Sequence, residues 1–91
     1  MTIVDAKVNL TYGNKHLEYA TSCENSGLYG DALIWYHKAY MEYETAKTIA
    51  INKDFELLIE IKKKISFACK KMEEMENKLQ EKPKQEDTLE L

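Results

Sequence analysis

From Leu58 to Leu79 the chain carries Leu58, Ile61, Ile65, Ala68, Met72, Met75 and Leu79, spaced 3-4-3-4-3-4 without a break. A strand presents every second residue to one face, so only a helix puts these seven on one side. A helix this long with one apolar stripe needs other helices to cover it. The spacing predicts a helix from Phe55 to Glu81. Pro83 is expected to end it.

The same rhythm occurs twice upstream. Ile3, Ala6, Leu10, Gly13, Leu17 and Ala20 are spaced 3-4-3-4-3, which predicts a helix from Ile3 to Asn25. Thr2 with Asp5 has the form of a capping box, and Ser26-Gly27 is the stop, with Gly27 suited to a left-handed C-cap. Tyr12, Tyr19 and Cys23 widen the face on one side. Glycine at position 13 costs roughly 1 kcal/mol against alanine in mid-helix, so its presence predicts a close helix crossing. Ala32, Tyr36, Ala39, Tyr43, Ala46 and Ala50 are spaced 4-3-4-3-4 and predict a helix from Tyr29 to Ala50. Leu33 and Tyr40 lie along one flank of that stripe, Trp35 and Ile49 along the other, and Ile34 and Met41 opposite it. Asn52 tolerates a left-handed cap, and Asp54 is a good N-cap for the next helix.

With short connections, three helices of roughly 33–40 Å lie antiparallel to their neighbours. The fold class is therefore all-α: an antiparallel three-helix bundle, a tetratricopeptide-like helical hairpin plus a long third helix. Residues 1–81 form the domain, and residues 82–91, polar and charged, are expected to be a flexible tail or the start of a linker. No alternating strand and no Asn-Gly or Asp-Gly hairpin turn interrupts the pattern.

The totals narrow the function. With 91 residues the chain is one small domain, and nearly all the stripe residues must be buried to hold it, which leaves little for an enclosed active site. The net charge of −3 argues against a nucleic-acid binder. No run reaches the 18 apolar residues of a membrane span, and the N-terminus has no signal-type segment, so a cytoplasmic protein is expected. Cys23 and Cys69 are expected to be reduced, in the core or a groove. No Gly-rich phosphate loop is present. His16 and His37 have no metal-ligand partner at i±4, although His16 shares a row with Cys23, so neither a metal site nor any cofactor is expected. No nucleophile–base set is evident, so the chain is not expected to be an enzyme in itself. The lysines at 62–64 read as a solvated face, with Lys70 and Glu74 as an i,i+4 pair. What packing does not absorb is leftover apolar surface: Ile34 and Met41 on the second helix, and Phe55, Ile59 and Phe67 on the third. Several such residues beside an interhelical seam are what a helix-in-groove binder presents.

Tyr19-Ala20, Gly27, Tyr29, Ala32, Trp35-Tyr36 and Ala39, followed by the long helix from Phe55 to Leu79, resemble the MIT (microtubule interacting and trafficking) domains over residues 3–81. The Ala20, Gly27, Ala32, Tyr36, Ala39 spacing also resembles a single tetratricopeptide repeat. That repeat would lack its expected proline near Glu44 and would need neighbours for stability.

The MIT resemblance implies a non-enzymatic adaptor that binds C-terminal tail motifs of ESCRT-III-type proteins in membrane remodelling or trafficking. It would be a monomer that acts in the cytoplasm and at endosomes, meets membranes only indirectly, and is carried by larger proteins such as AAA ATPases. In the best-known mode an amphipathic helix lies between the second and third helices. Leu33, Tyr40 and Lys47, or Trp35 and Glu42 on the other flank, would form one wall, and Phe55, Lys62, Cys69 and Glu76 the other. Cys69 stands where the family's groove carries an exposed leucine. Lys47 and Lys62 would pair with ligand acids, Glu76 with ligand bases. A second groove, between the first and third helices, would be walled by Tyr12, Tyr19 and Cys23 and take an extended peptide. The rival expectation is a tetratricopeptide-like or self-associating helical module for protein assembly.

Overall fold

The computed structural model describes residues 2–90, with side chains for residues 2–81. Three helices follow one another: α1 (Ile3–Asn25), α2 (Tyr29–Ala50) and α3 (Phe55–Glu90). Together they form the expected all-α three-helix bundle.

Each end has a local cause. The Thr2 hydroxyl accepts the Asp5 backbone N–H at 3.3 Å, and the Asp5 carboxylate accepts the Thr2 N–H at 2.8 Å. This reciprocal pair satisfies two donors that a helix start leaves open. α1 stops at Gly27, whose φ of 79° lies in the left-handed region. The Leu28 N–H then reaches back to the Cys23 carbonyl, and the Gly27 N–H to that of Glu24, closing a Schellman motif. α2 ends in a tight turn: the Lys53 N–H donates to the Ala50 carbonyl at 2.9 Å. Asn52, with φ 67°, occupies the turn position that needs positive φ. Asp54 then caps α3, its Oδ1 accepting the Leu57 N–H at 3.0 Å.

α3 departs from expectation at its far end. It runs on past Glu81 and through Pro83 to Glu90. A proline removes only one N–H from the ladder, and the lysines, glutamines and glutamates around it are good helix formers. Side chains beyond Glu81, and Leu91, lie outside the described residues, so the expected tail over 82–91 is described only as helical backbone to Glu90.

The α2 stripe is the centre of the molecule: Ala32, Tyr36, Ala39, Tyr43, Ala46 and Ala50 are wholly buried. Close backbone approaches join α1 to α2 and α2 to α3; α1 and α3 meet mainly through side chains. The crossing expected at Gly13 is present, because a Cβ there would stand 2.5 Å from Cε1 of the Tyr43 ring. Two clusters make the core. The larger gathers Ala6, Leu10, Tyr43, Ala46, Ile49 and Ile61 around the α2–α3 turn end, with Leu57, which the α3 stripe had not included. The smaller holds Ala20, Cys23, Ala32, Tyr36 and Met75 near the α1–α2 turn. Leu79, the last stripe residue, is on the surface beside that turn.

Candidate peptide-binding surface

The two flanks of the α2 stripe face different neighbours. Leu33 and, from α3, Met72 both pack against the smaller cluster. Tyr40, seven residues on, lies beside Glu44 and within electrostatic reach of Cys69. The Glu44 carboxylate, then loss of water, then the nearby Cys69 thiol raise the Tyr40 hydroxyl above its ordinary value. Lys47 completes the flank but is held by Glu44 at 3.2 Å, so a ligand acid would have to displace that carboxylate.

Across the seam, Phe55, Lys62, Cys69 and Glu76 are all exposed. Phe55 is 75% exposed and borders a shallow depression of about 430 Å³ with Ile51, Asn52, Lys53, Asp54 and Leu58. A second depression lies at the opposite turn, between residues 27–31 and Leu79. Both are at the ends of the bundle, on either side of the Leu33–Tyr40–Cys69 seam.

Trp35 and Glu42 belong to a different surface and do not line the α2–α3 seam. The Trp35 ring lies 4.7 Å, centroid to centroid, from Tyr19 and 5.3 Å from His16, both on α1. Glu42 accepts the Asn9 side-chain amide at 2.8 Å and stands 3.8 Å from His16 Nε2. These contacts also overturn the expected wall of the second groove: Tyr19 is turned onto α2, and Cys23 is buried in the smaller cluster. His16 consequently faces Glu42 and not Cys23. Among the described residues, no three His, Cys, Asp or Glu side chains come together as a metal site would need.

The α1–α3 seam is crossed instead by a polar cluster that periodicity had not indicated. The Tyr36 hydroxyl donates to Glu24 at 2.7 Å and lies 3.3 Å from the Thr21 hydroxyl; Lys71 donates to the other Glu24 oxygen at 3.2 Å. Lys71 also meets Glu74 at 3.4 Å, so Glu74 pairs with Lys71 in place of the expected Lys70. Burial alone would raise the Glu24 carboxyl, but the Tyr36 hydroxyl and the Lys71 ammonium outweigh it and hold the group below its ordinary value. Burial alone would lower Lys71, and Glu24 and Glu74 carry it the other way. Such a contact spans 47 positions of chain, which no local pattern encodes. Its one sequence sign is that Glu24 lies four residues beyond Ala20, where the α1 stripe would continue, and that Lys71 adjoins Met72.

No helix among the described residues is long and apolar enough to cross a membrane. Compared with protein-family models, curated proteins and solved structures, the chain finds no match.

Proposed function

We propose that this chain is a non-enzymatic peptide-recognition domain similar to MIT domains, which docks an amphipathic tail motif of an ESCRT-III-type protein along the α2–α3 seam. The observation that carries the reading is the approach of two rows: Tyr40, on the Leu33, Tyr40 and Lys47 row of α2, lies within electrostatic reach of Cys69, on the exposed Phe55, Lys62, Cys69 and Glu76 row of α3. A helix laid over that seam gains apolar contact at Leu33 and Tyr40, and its charges are oriented by Lys62 on one side and Glu76 on the other. Trp35 and Glu42 have no part in this surface. A single short helix buries little area, so the affinity is weak, with Kd about micromolar, near −8 kcal/mol. The domain serves as the adaptor of a trafficking protein and acts as a monomer.

The test is an NMR titration of the labelled domain with peptides from ESCRT-III C-termini. The expected shifts run along residues 33–47 and 55–76, and Cys69→Arg, which fills the seam with a charge, abolishes them. A well-dispersed spectrum that does not move at millimolar peptide removes this ligand class while leaving the fold intact.

A further inference from the structure

The surface that Trp35 floors lies on the other side of α2 from Cys69, and the proposed α2–α3 seam does not use it. On α1, Val4, Val8, Tyr12, Lys15 and Tyr19 are spaced 4-4-3-4, one helical row. The four apolar members are between 47% and 68% exposed. On α2, Ile34, Lys38 and Met41 are spaced 4-3, a second row, and Ile34 and Met41 are each 54% exposed. Between the two rows lies the α1–α2 seam, with Trp35 and the Asn9–Glu42–His16 contacts as its floor.

The floor contacts set the level of one row against the other. Tyr19 and His16 touch Trp35, whereas His16 and Asn9 touch Glu42. In an antiparallel pair this puts Tyr19 level with Ile34, Lys15 with Lys38, and Tyr12 with Met41. The groove therefore reads apolar pair, lysine pair, apolar pair, over two helical turns. The Lys38 ammonium lies 4.5 Å above the centre of the Trp35 ring, which holds its charge over the floor. Among the described residues neither Lys15 nor Lys38 has a carboxylate partner, and Glu42, the nearest acid on the floor, is taken by Asn9 and His16. In a chain of net charge −3, this strip is locally cationic.

We infer that the α1–α2 face is a second docking groove, whose occupant is an acidic amphipathic helix of another protein. Two apolar side chains about two turns apart would seat between Tyr12 and Met41 and between Tyr19 and Ile34. A glutamate or aspartate between them would meet Lys15 and Lys38, whose two charges outnumber the single Glu42 carboxylate on the floor. Apolar anchors give contact area, and the paired lysines set polarity and register. A basic helix would meet two uncompensated cations there and is rejected.

Trp35 is the chain's single tryptophan, so the groove carries its own reporter. The probe is a capped synthetic helix of about five turns with leucines along one face and glutamates between them, titrated against Trp35 emission beside a twin that carries lysines for glutamates. The expected result is a saturable change with the glutamate helix alone. The double variant Lys15→Glu/Lys38→Glu weakens it by about tenfold or more and takes up the lysine helix instead, since like charges now face the first probe and opposite charges the second. Met41→Asp removes binding of both. All three positions are exposed, and circular dichroism checks that the variants keep their helices. No saturable change up to millimolar probe overturns the inference, as does binding that ignores the charge reversal. Sedimentation showing a dimer that Met41→Asp dissolves also overturns it, because a second copy would then be the occupant.

Discussion

Gly13 is where a single hydrogen atom in place of a methyl group decides how close two helices come. The Tyr43 ring lies against its Cα, with Cε1, Cδ1 and Cζ at 2.5, 2.7 and 3.0 Å from where a Cβ would be. The contact is with the body of a wholly buried ring whose hydroxyl is fixed to Asn14 at 2.6 Å, so it cannot swing away cheaply. On helix propensity alone, Gly13→Ala would stabilise α1 by about 1 kcal/mol. Overpacking a rigid site costs about 1–3 kcal/mol, so the two effects oppose each other and the second prevails. Urea denaturation of Gly13→Ala is expected to show a net loss of up to about 2 kcal/mol. Adding Tyr43→Leu, which removes the ring, should cost less on that background than on the parent chain. A stabilised Gly13→Ala would mean that α1 and α2 slide apart freely at this crossing.

At the scale of elements, α1 is fastened to α3 by polar contacts more than by backbone approach, and this makes the fastening dependent on pH. The lowered Glu24 carboxyl contributes stability that is present above its ordinary 4.5 and is lost as pH falls through the lowered value. The raised Lys71 and Tyr36 groups act in the other direction: their contributions are present below 10.5 and 10.0 respectively and fade as pH rises through the raised values. Glu24→Gln is therefore expected to cost about 1–2 kcal/mol at neutral pH, the scale of charge-assisted hydrogen bonds that are partly open to water. Its stability should converge on that of the parent as pH falls through the lowered Glu24 value, where the carboxyl takes up its proton. Urea midpoints measured down that range check it, and two parallel curves would show that Glu24 acts through packing alone. This cluster also marks how far the sequence could be read. The three stripes, the Thr2–Asp5 box, Gly27, Asn52 and Asp54 were legible because each is a local matter of period or cap. Which side of the hairpin α3 lies on was not. The α2 stripe has two flanks that are equivalent in period, and a three-helix bundle can turn with either hand. Leu33–Tyr40–Lys47 and Trp35–Glu42 were therefore equal candidates for the α3 side until three-dimensional packing placed Trp35 on Tyr19 and Tyr40 within electrostatic reach of Cys69. The Glu24–Lys71 contact depends on that same choice.

For the whole molecule, the uneven division of the core implies uneven stability along the bundle. The cluster at the α2–α3 turn end joins buried residues of all three helices, including Leu10, Tyr43, Ile49, Leu57 and Ile61. The cluster at the α1–α2 turn has fewer, and α3 supplies it with one buried side chain, Met75, helped by the half-buried Met72. Fewer apolar contacts mean a lower free energy for local opening, so this end should open without unfolding the rest. Native-state hydrogen exchange is then expected to find two classes of protected amide. Those of Ala39–Ala50 should exchange only by global unfolding, whereas those of Ala20–Cys23 and Ala32–Tyr36 exchange at a lower free energy, by about 1–3 kcal/mol. Met75→Ala tests the cause. Losing that side chain should cost about 2–5 kcal/mol in the local opening of the α1–α2 turn end. Because the α2–α3 turn end holds the larger cluster, its protection should fall by less. If every amide fell equally, the bundle would be a single cooperative unit despite its divided core. The proposed seam has Leu33 on the weaker half and Lys47 and Phe55 on the stronger. A helix docked along it would tie the two together, and the same experiment repeated with peptide bound should raise protection most between Ala20 and Tyr36, the part with the most to gain.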